Sequence, residues 1–217
     1  APVGLDRLAR GRLVGREHEL ADVLAHWRRA MAGDGHVLLI SGEPGIGKTR
    51  LARELVAQAR VNKAAVLLGE CFSEGSGPYG PIVQIVREAL QSPLPDLPPF
   101  VLAELLALAP ELRTRYPDIS PNPPLEPAAE QQRLLESVAV LGSVLAAHAP
   151  LLLVLDDIHW ADSGTLYLAR HLARRARSQR QLLVLTYREI ELDQAGGLPD
   201  VLLDMQREQL ATRLKLT

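Results

Sequence analysis

One cysteine in 217 residues, Cys71, excludes a disulfide within the chain. It fits a reducing cytosol, and a lone thiol of this kind reads as a small buried hydrophobe rather than a reactive group. An excess of charge of one sign is also lacking: 24 Lys and Arg against 26 Asp and Glu leave a net charge of −2. That balance disfavours a basic domain built to coat nucleic acid. The opening "APVGLDRLARGR" lacks the apolar core of a signal peptide. Residues 137–155 contain no Asp, Glu, Lys or Arg, nearly the length of a membrane span. His148 and Pro150 interrupt that stretch, and its helical spacing gives way to a continuous apolar run. It reads as a buried helix, a turn and a buried strand, with no membrane contact. The chain begins without methionine and stops abruptly at "RLKLT", so the expectation is a domain excised from a longer protein.

What is present is ordinary globular composition, 47% apolar and 23% charged. The 217 residues are expected to form a single domain. In "EHELADVLAHWRRAM" (17–31), Leu20, Val23, Leu24, Trp27 and Met31 share one helical face. "HVLLISG" (36–42), "AAVLLGECF" (64–72), 151–156 and 182–187 read as strands. Helices are expected at 48–60, 80–90, 128–148, 163–177 and 199–209, and "RLKL" as a fifth strand. Ten of the sixteen prolines lie between Pro93 and Pro127. A stretch such as "PNPPLEP" has too few backbone donors for a sheet. Residues 92–127 therefore read as an irregular surface insertion, with a short helix in "FVLAELLALAP". Alternating helices and continuous apolar strands imply an α/β fold with a parallel sheet covered on both faces. Ligands of such sheets bind at the carboxyl ends of the strands.

Two motifs fall at that edge. "SGEPGIGKT" has the spacing G-x-x-x-x-G-K-S/T between a strand and a helix, as a phosphate-binding loop requires. Gly42, Glu43, Pro44, Gly45, Ile46, Gly47 and Arg50 would line a phosphate, every one of them but Pro44 offering it a backbone N–H. The new helix adds its own free N–H groups and dipole. Lys48 would neutralise β- and γ-phosphates, and Thr49 would offer a hydroxyl to Mg²⁺. A strand–helix turn that merely needs glycines leaves Lys48 and Thr49 unexplained. The second motif is "LLLVLDDIHWAD" (151–162), an apolar run ending in two acids. A buried carboxylate needs a partner; Asp156 holding Mg²⁺ beside the phosphate loop would supply one. Asp157 would polarise an attacking water. Asp162 or Ser163 is better placed than either to cap the next helix. His159 and Asp162 have the spacing of a metal pair but no third ligand, and Trp160 reads as packing.

Together, "LVGREHEL", "ISGEPGIGKTRL", "LLLVLDDIHWAD" and "LLVLTYRE" resemble the ATPase module of the STAND class within the AAA+ relatives, as found in large LuxR-type (LAL) transcriptional regulators. "GECFSEGSGPYGPIVQIVREAL" resembles the segment between the two nucleotide motifs. The resemblance covers most of residues 12–190. It implies a P-loop NTPase three-layer sandwich with a five-stranded parallel sheet in the order 5-1-4-3-2. It implies ATP or ADP with Mg²⁺ as ligands, Arg188 as the sensor of the γ-phosphate, and Val14 and Gly15 beside adenine. It also implies self-association in the ATP state and contacts with C-terminal lid and winged-helix domains absent from this chain. DNA contact is expected through another domain. Asp157 departs from the Glu usual in related AAA+ hydrolases. A trans-acting arginine finger is not assigned; Arg174 and Arg175 lie at a plausible place but read as a solvated helix end. The leading expectation is a slowly hydrolysing ATP switch in a regulator. A nucleotide-binding scaffold without turnover, a metabolic phosphotransferase and the ATPase of a DNA-handling, origin-binding-like protein are the alternatives.

Overall fold

A computed structural model describes residues 15–73, 77–91, 96–194 and 196–217. The elements run α1 (Glu17–Met31), β1 (His36–Ser41), α2 (Lys48–Val61), β2 (Ala65–Glu70), α3 (Gly80–Gln91), α4 (Pro99–Leu108), α5 (Pro127–His148), β3 (Leu151–Asp156), α6 (Ser163–Ala176), β4 (Gln181–Tyr187), α7 (Leu198–Arg207) and β5 (Ala211–Lys215). The five strands form one parallel sheet in the order β2-β3-β4-β1-β5. This is the expected α/β arrangement, with β4 inserted between β1 and β3.

The strand sequences explain their positions. β1, β3 and β4 are buried at every residue and occupy the middle of the sheet. β2 and β5 are only partly buried and form the edges. Because side chains alternate across a strand, each central strand feeds two cores. Leu38, Ile40, Leu152, Val154, Leu182 and Val184 pack against α1 and α2 through Trp27, Leu51 and Leu55. Leu39, Leu153, Leu155, Leu183 and Leu185 join the opposite core with residues of α3 to α7. The sheet register then sets the carboxyl ends side by side. Ser41 lies opposite Tyr187, and Glu70 opposite Asp156.

The 92–127 region differs from the expectation of a surface insertion. α4 is apolar around most of its circumference, and a helix of that kind belongs in a core. Val101, Leu102, Leu105 and Leu106 are buried in the larger core, and α4 packs on α5. Buried Glu104 is satisfied by Arg133 Nε at 2.7 Å and by Asn122 Nδ2 at 3.0 Å. The prolines act as starters rather than breakers: Pro99, Pro110 and Pro127 each stand at the first position of a helical segment, where a missing N–H is harmless. Leu105→Ala is therefore expected to destabilise the chain by about 2–5 kcal/mol in urea unfolding, the range for a truncated core leucine. A surface loop would register about 0.5 kcal/mol or less.

Residues 137–155 divide into the end of α5, a two-residue connection at Ala149 and Pro150, and β3. Among the described residues no helix is long and apolar enough to cross a membrane.

Candidate functional site

The loop after β1 needs its glycines. Gly45 and Gly47 have φ of +75° and +107°, left-handed backbone that L side chains adopt only under strain. A Cβ on Gly42 would lie 2.9 Å from the Leu216 carbonyl oxygen. The loop therefore closes tightly against the end of β5. It opens directly into α2, whose first residue is Lys48. The Lys48 ammonium donates to the carbonyls of Gly42 (3.0 Å) and Glu43 (2.9 Å). Burial lowers its pKa from the usual lysine range, against the raising influence of Asp157 and Asp156.

Thr49 and Asp156, 107 residues apart in the chain, meet at this edge. Thr49 Oγ1 donates to Asp156 Oδ2 at 2.8 Å. The other Asp156 oxygen accepts from Thr186 Oγ1, which in turn accepts from Asp157 N at 2.9 Å. Thr186 was not among the expected site residues. A lone hydroxyl inside "LLVLTY", one strand over from the acids, was its signal. Asp157 takes a left-handed φ of +55°. Burial and then the Asp156 charge raise the Asp157 carboxyl, while Arg188 and Lys48 hold it down. Lys48, Asp157 and Arg188 thus share one electrostatic neighbourhood. Arg188 Nη1 donates to Glu191 Oε1 at 2.7 Å.

Chemically, Thr49 and Asp156 present a hydroxyl and a carboxylate, hard oxygen donors of the kind Mg²⁺ prefers. Magnesium commonly takes one or two protein ligands and fills its shell with water and phosphate oxygens, so this pair fits it. Among the described residues no group of three or more His, Cys, Asp and Glu could hold a metal by itself. Asp162 spends its carboxylate capping α6 (Thr165 N, 3.0 Å; Thr165 Oγ1, 2.6 Å) and on Tyr79 N (3.2 Å). The His159–Asp162 spacing therefore does not mark a metal pair. Cys71 is buried, its thiol pushed up to about 12 by burial and then by nearby acids, in keeping with an unreactive hydrophobe. Trp160 is 40% exposed, more open than packing alone predicts, with its ring against His159.

On the far side of the loop, a cleft of about 230 Å³ lies between the start of α1, the loop and the end of β5. It is lined by Arg16, Gly45, Ile46, Gly47, Arg50, Leu51 and Leu216. Gly15 precedes Arg16 at the start of α1, with its N–H on Glu17 Oε1 at 3.3 Å. Val14 lies outside the described residues. Leu216 was not foreseen, because its place depends on β5 pairing with β1. Arg174 is held by Glu208 and Arg175 by Glu136, each through bonds of 2.7 Å or shorter; neither projects as an unpaired finger.

A cluster beneath the loop braces the edge. Glu189 accepts from Ser41 Oγ (2.7 Å), Lys215 Nζ (2.8 Å) and Arg213, joining β1, β5 and the segment after β4. Lys215 first, then Ser41 and Arg213, hold the Glu189 carboxyl at about 2, below its usual 4.5. Its contribution to stability is thus complete above pH 4.5 and fades as pH falls towards 2. In acid denaturation, the stability gap between the wild type and Glu189→Gln should shrink across that window and be constant at higher pH.

A parallel sheet with a glycine loop between its first strand and a helix, and an acidic strand end facing the loop helix, is the arrangement of P-loop nucleoside triphosphatases. Within that class, the chain belongs to the AAA ATPase domain family, whose model matches residues 12–185. Membership implies use of a nucleotide, typically with Mg²⁺. The chain is 27% identical over 205 residues to the uncharacterized protein R02095 of Rhizobium meliloti (strain 1021), covering 86% of this chain and 20% of that protein. It therefore spans about a fifth of that relative's length. Solved structures with similarity include Drosophila ORC bound to GC-rich DNA and Cdc6 (TM-score 0.43, 14% identity, 95% of this chain and 62% of that chain). Another is the DnaC helicase loader (TM-score 0.42, 15% identity, 95% of this chain and 92% of that chain).

Proposed function

We propose that this chain is an ATP-binding, Mg²⁺-dependent, slowly hydrolysing switch module of a multidomain transcriptional regulator or signalling protein, of the STAND class related to the LuxR-type regulators. The observation that carries the reading is the Thr49–Asp156 contact at 2.8 Å beside a buried Lys48 on a glycine loop. That set of groups serves a triphosphate and its cation, and a simple strand–helix turn has no use for it.

The residues divide the work. Gly42 to Thr49 turn backbone N–H groups towards the phosphates, and Lys48 offsets charge on the β- and γ-oxygens. Thr49 and Asp156 would hold Mg²⁺, which would supply charge neutralisation on the transferring phosphoryl group. Asp157 orients a water and accepts its proton as the water oxygen bonds to the γ-phosphorus and the bond to the β-phosphate oxygen breaks. Arg188 distinguishes ATP from ADP by reaching the γ-phosphate. The cleft between Arg16 and Leu216 receives the base, beside Gly15. ATP and ADP then favour different arrangements of this module against further domains of a longer chain, with self-association in the ATP state. The 20% coverage of the Rhizobium relative supports a module within a larger protein. The net charge of −2 supports DNA contact through another domain rather than this one.

The test is calorimetric binding of ATP and ADP with and without Mg²⁺, alongside phosphate release. Mg²⁺-dependent binding with release slower than about 1 s⁻¹, below ordinary enzyme turnover, is the expected result. Tight ADP binding with no release would establish the scaffold reading instead. Absence of binding would overturn both.

A further inference from the structure

The segment after β4 holds a group that the roles above leave unused. Glu191 stands three residues beyond Arg188 on a 3-10 turn, and its Oε1 accepts from Arg188 Nη1 at 2.7 Å. Both side chains are mostly buried, 29% and 20% exposed. An ion pair so placed is screened far less than a surface one. The other Glu191 oxygen, Oε2, is buried without a hydrogen bond. Facing it at 3.2 Å is Nε2 of His159, whose side chain is fully buried. Neither ring nitrogen of His159 has a hydrogen-bond partner, and Nδ1 lies 3.8 Å from Asp157 Oδ1.

Buried polar atoms without partners are uncommon because each forfeits its solvation for nothing. Glu191 Oε2 and the facing His159 Nε2 are two such atoms 3.2 Å apart, and they mark an arrangement with a second solution close by. With Arg188 on Oε1, Glu191 and His159 remain unsatisfied. With Arg188 withdrawn, Glu191 needs only a small rotation to accept from an Nε2–H of His159, already 3.2 Å away. The carboxylate thus has a second partner at hand: Arg188 is on Oε1, and His159 beside Oε2 can hold the group when the arginine leaves.

We propose that Glu191 is a specificity-determining residue that competes with the γ-phosphate for Arg188, with His159 as the seat Glu191 takes when the arginine leaves. The inference rests on the reading of Arg188 given above. ADP leaves Arg188 on Glu191; ATP must draw it away. Glu191 thereby lowers affinity for ATP alone and sets the ratio of ATP to ADP affinity. A switch that must return to the ADP state uses such a counterweight, because a ligand shifts an equilibrium only by its differential affinity for the two states.

The test is a two-by-two set: wild type, Glu191→Gln, Arg188→Ala and the double variant, each titrated with Mg-ATP and Mg-ADP by calorimetry. Thermal melting checks that each is folded. Glu191→Gln keeps shape and removes charge. It should tighten ATP binding about tenfold, the equivalent of about 1.4 kcal/mol of lost competition, and change ADP binding less than about twofold. In the Arg188→Ala background the same substitution should leave the ratio unchanged, since the coupling between the two residues is what the cycle isolates. If Arg188→Ala lowers the ratio but Glu191→Gln does not raise it, Arg188 keeps its role and Glu191 has none. A ratio shift that persists without Arg188 overturns the inference in the same way. If Arg188→Ala leaves the ratio unchanged, the Arg188 reading falls and takes the inference with it. Should Glu191→Gln melt at a lower temperature than the assay, Glu191→Asp, which shortens the reach to Arg188, is read by the same criteria.

Discussion

Lys48→Ala is expected to weaken Mg-ATP binding by about a hundredfold or more, roughly 3 kcal/mol, the scale for a charge-assisted contact removed from a desolvated site. The ammonium is buried at the base of the glycine loop, and its two hydrogen bonds go to carbonyls of that loop. A lysine that only braced the loop would have little reason to sit among Asp156, Asp157 and Arg188. On the proposed reading, a bound phosphate would give the ammonium an anion to meet in place of the carbonyls. The fold should persist in the variant. α2 is anchored by Leu51, Ala52, Leu55, Val56 and Ala59 on the sheet, and alanine is the best helix former at the vacated position. The comparison to make is calorimetric affinity against melting temperature: a large loss in the first with little change in the second locates the nucleotide at residues 42–49. Equal affinity in variant and wild type would move the nucleotide elsewhere.

Which parts of this arrangement were legible in the sequence follows from how local their causes are. α1 runs from 17 to 31 as its apolar spacing predicts, because Val23 and Trp27 need one face. Asp162 caps α6, as its place before "TLYLARHLA" predicts. The alternation of strand and helix was enough for a parallel sheet, but the insertion of β4 between β1 and β3 came from the family resemblance; no periodicity encodes strand order. α4 is a helix as expected, but it is buried rather than on the surface, for a physical reason. Proline at the first turn of a helix and proline in a loop look alike in sequence, and only the all-round apolar character of "FVLAELLALA" hinted at burial. At the site, Gly42, Lys48 and Thr49 are set by one short segment. Thr186 and Glu191 are not marked in the sequence because each has a partner distant along the chain, although Glu191 also pairs with Arg188 three residues before it. Thr186 is defined by Asp156, 30 residues away, and Glu191 by His159 across the sheet edge. Ser41 and Glu189 are separated by 148 residues. Groups whose role is to hold another functional group are the ones a motif leaves out.

Asp157→Asn should leave Mg-ATP binding within about threefold of wild type and lower phosphate release by about 10²–10⁴-fold, the span attributed to positioned acid–base groups. The substitution is unusually clean here. Asp157 holds a left-handed backbone conformation, φ +55°, and asparagine is among the few residues that accept it readily. Its backbone N–H can keep the bond to Thr186 Oγ1 at 2.9 Å, so Asp156, which shares that threonine, keeps its position. What the amide loses is the negative charge and the capacity to accept a proton. The burial and neighbouring charge that raise the Asp157 carboxyl also make it a better base than an exposed aspartate. Lys48 and Arg188 oppose that rise, and Arg188 does so from wherever Glu191 leaves it. The same measurement separates the two outcomes for Asp157. Release that falls while binding holds makes it the group that handles the water. Binding and release that fall together would instead place Asp157 among the groups that hold the cation, and leave the water to be oriented by another residue of the site.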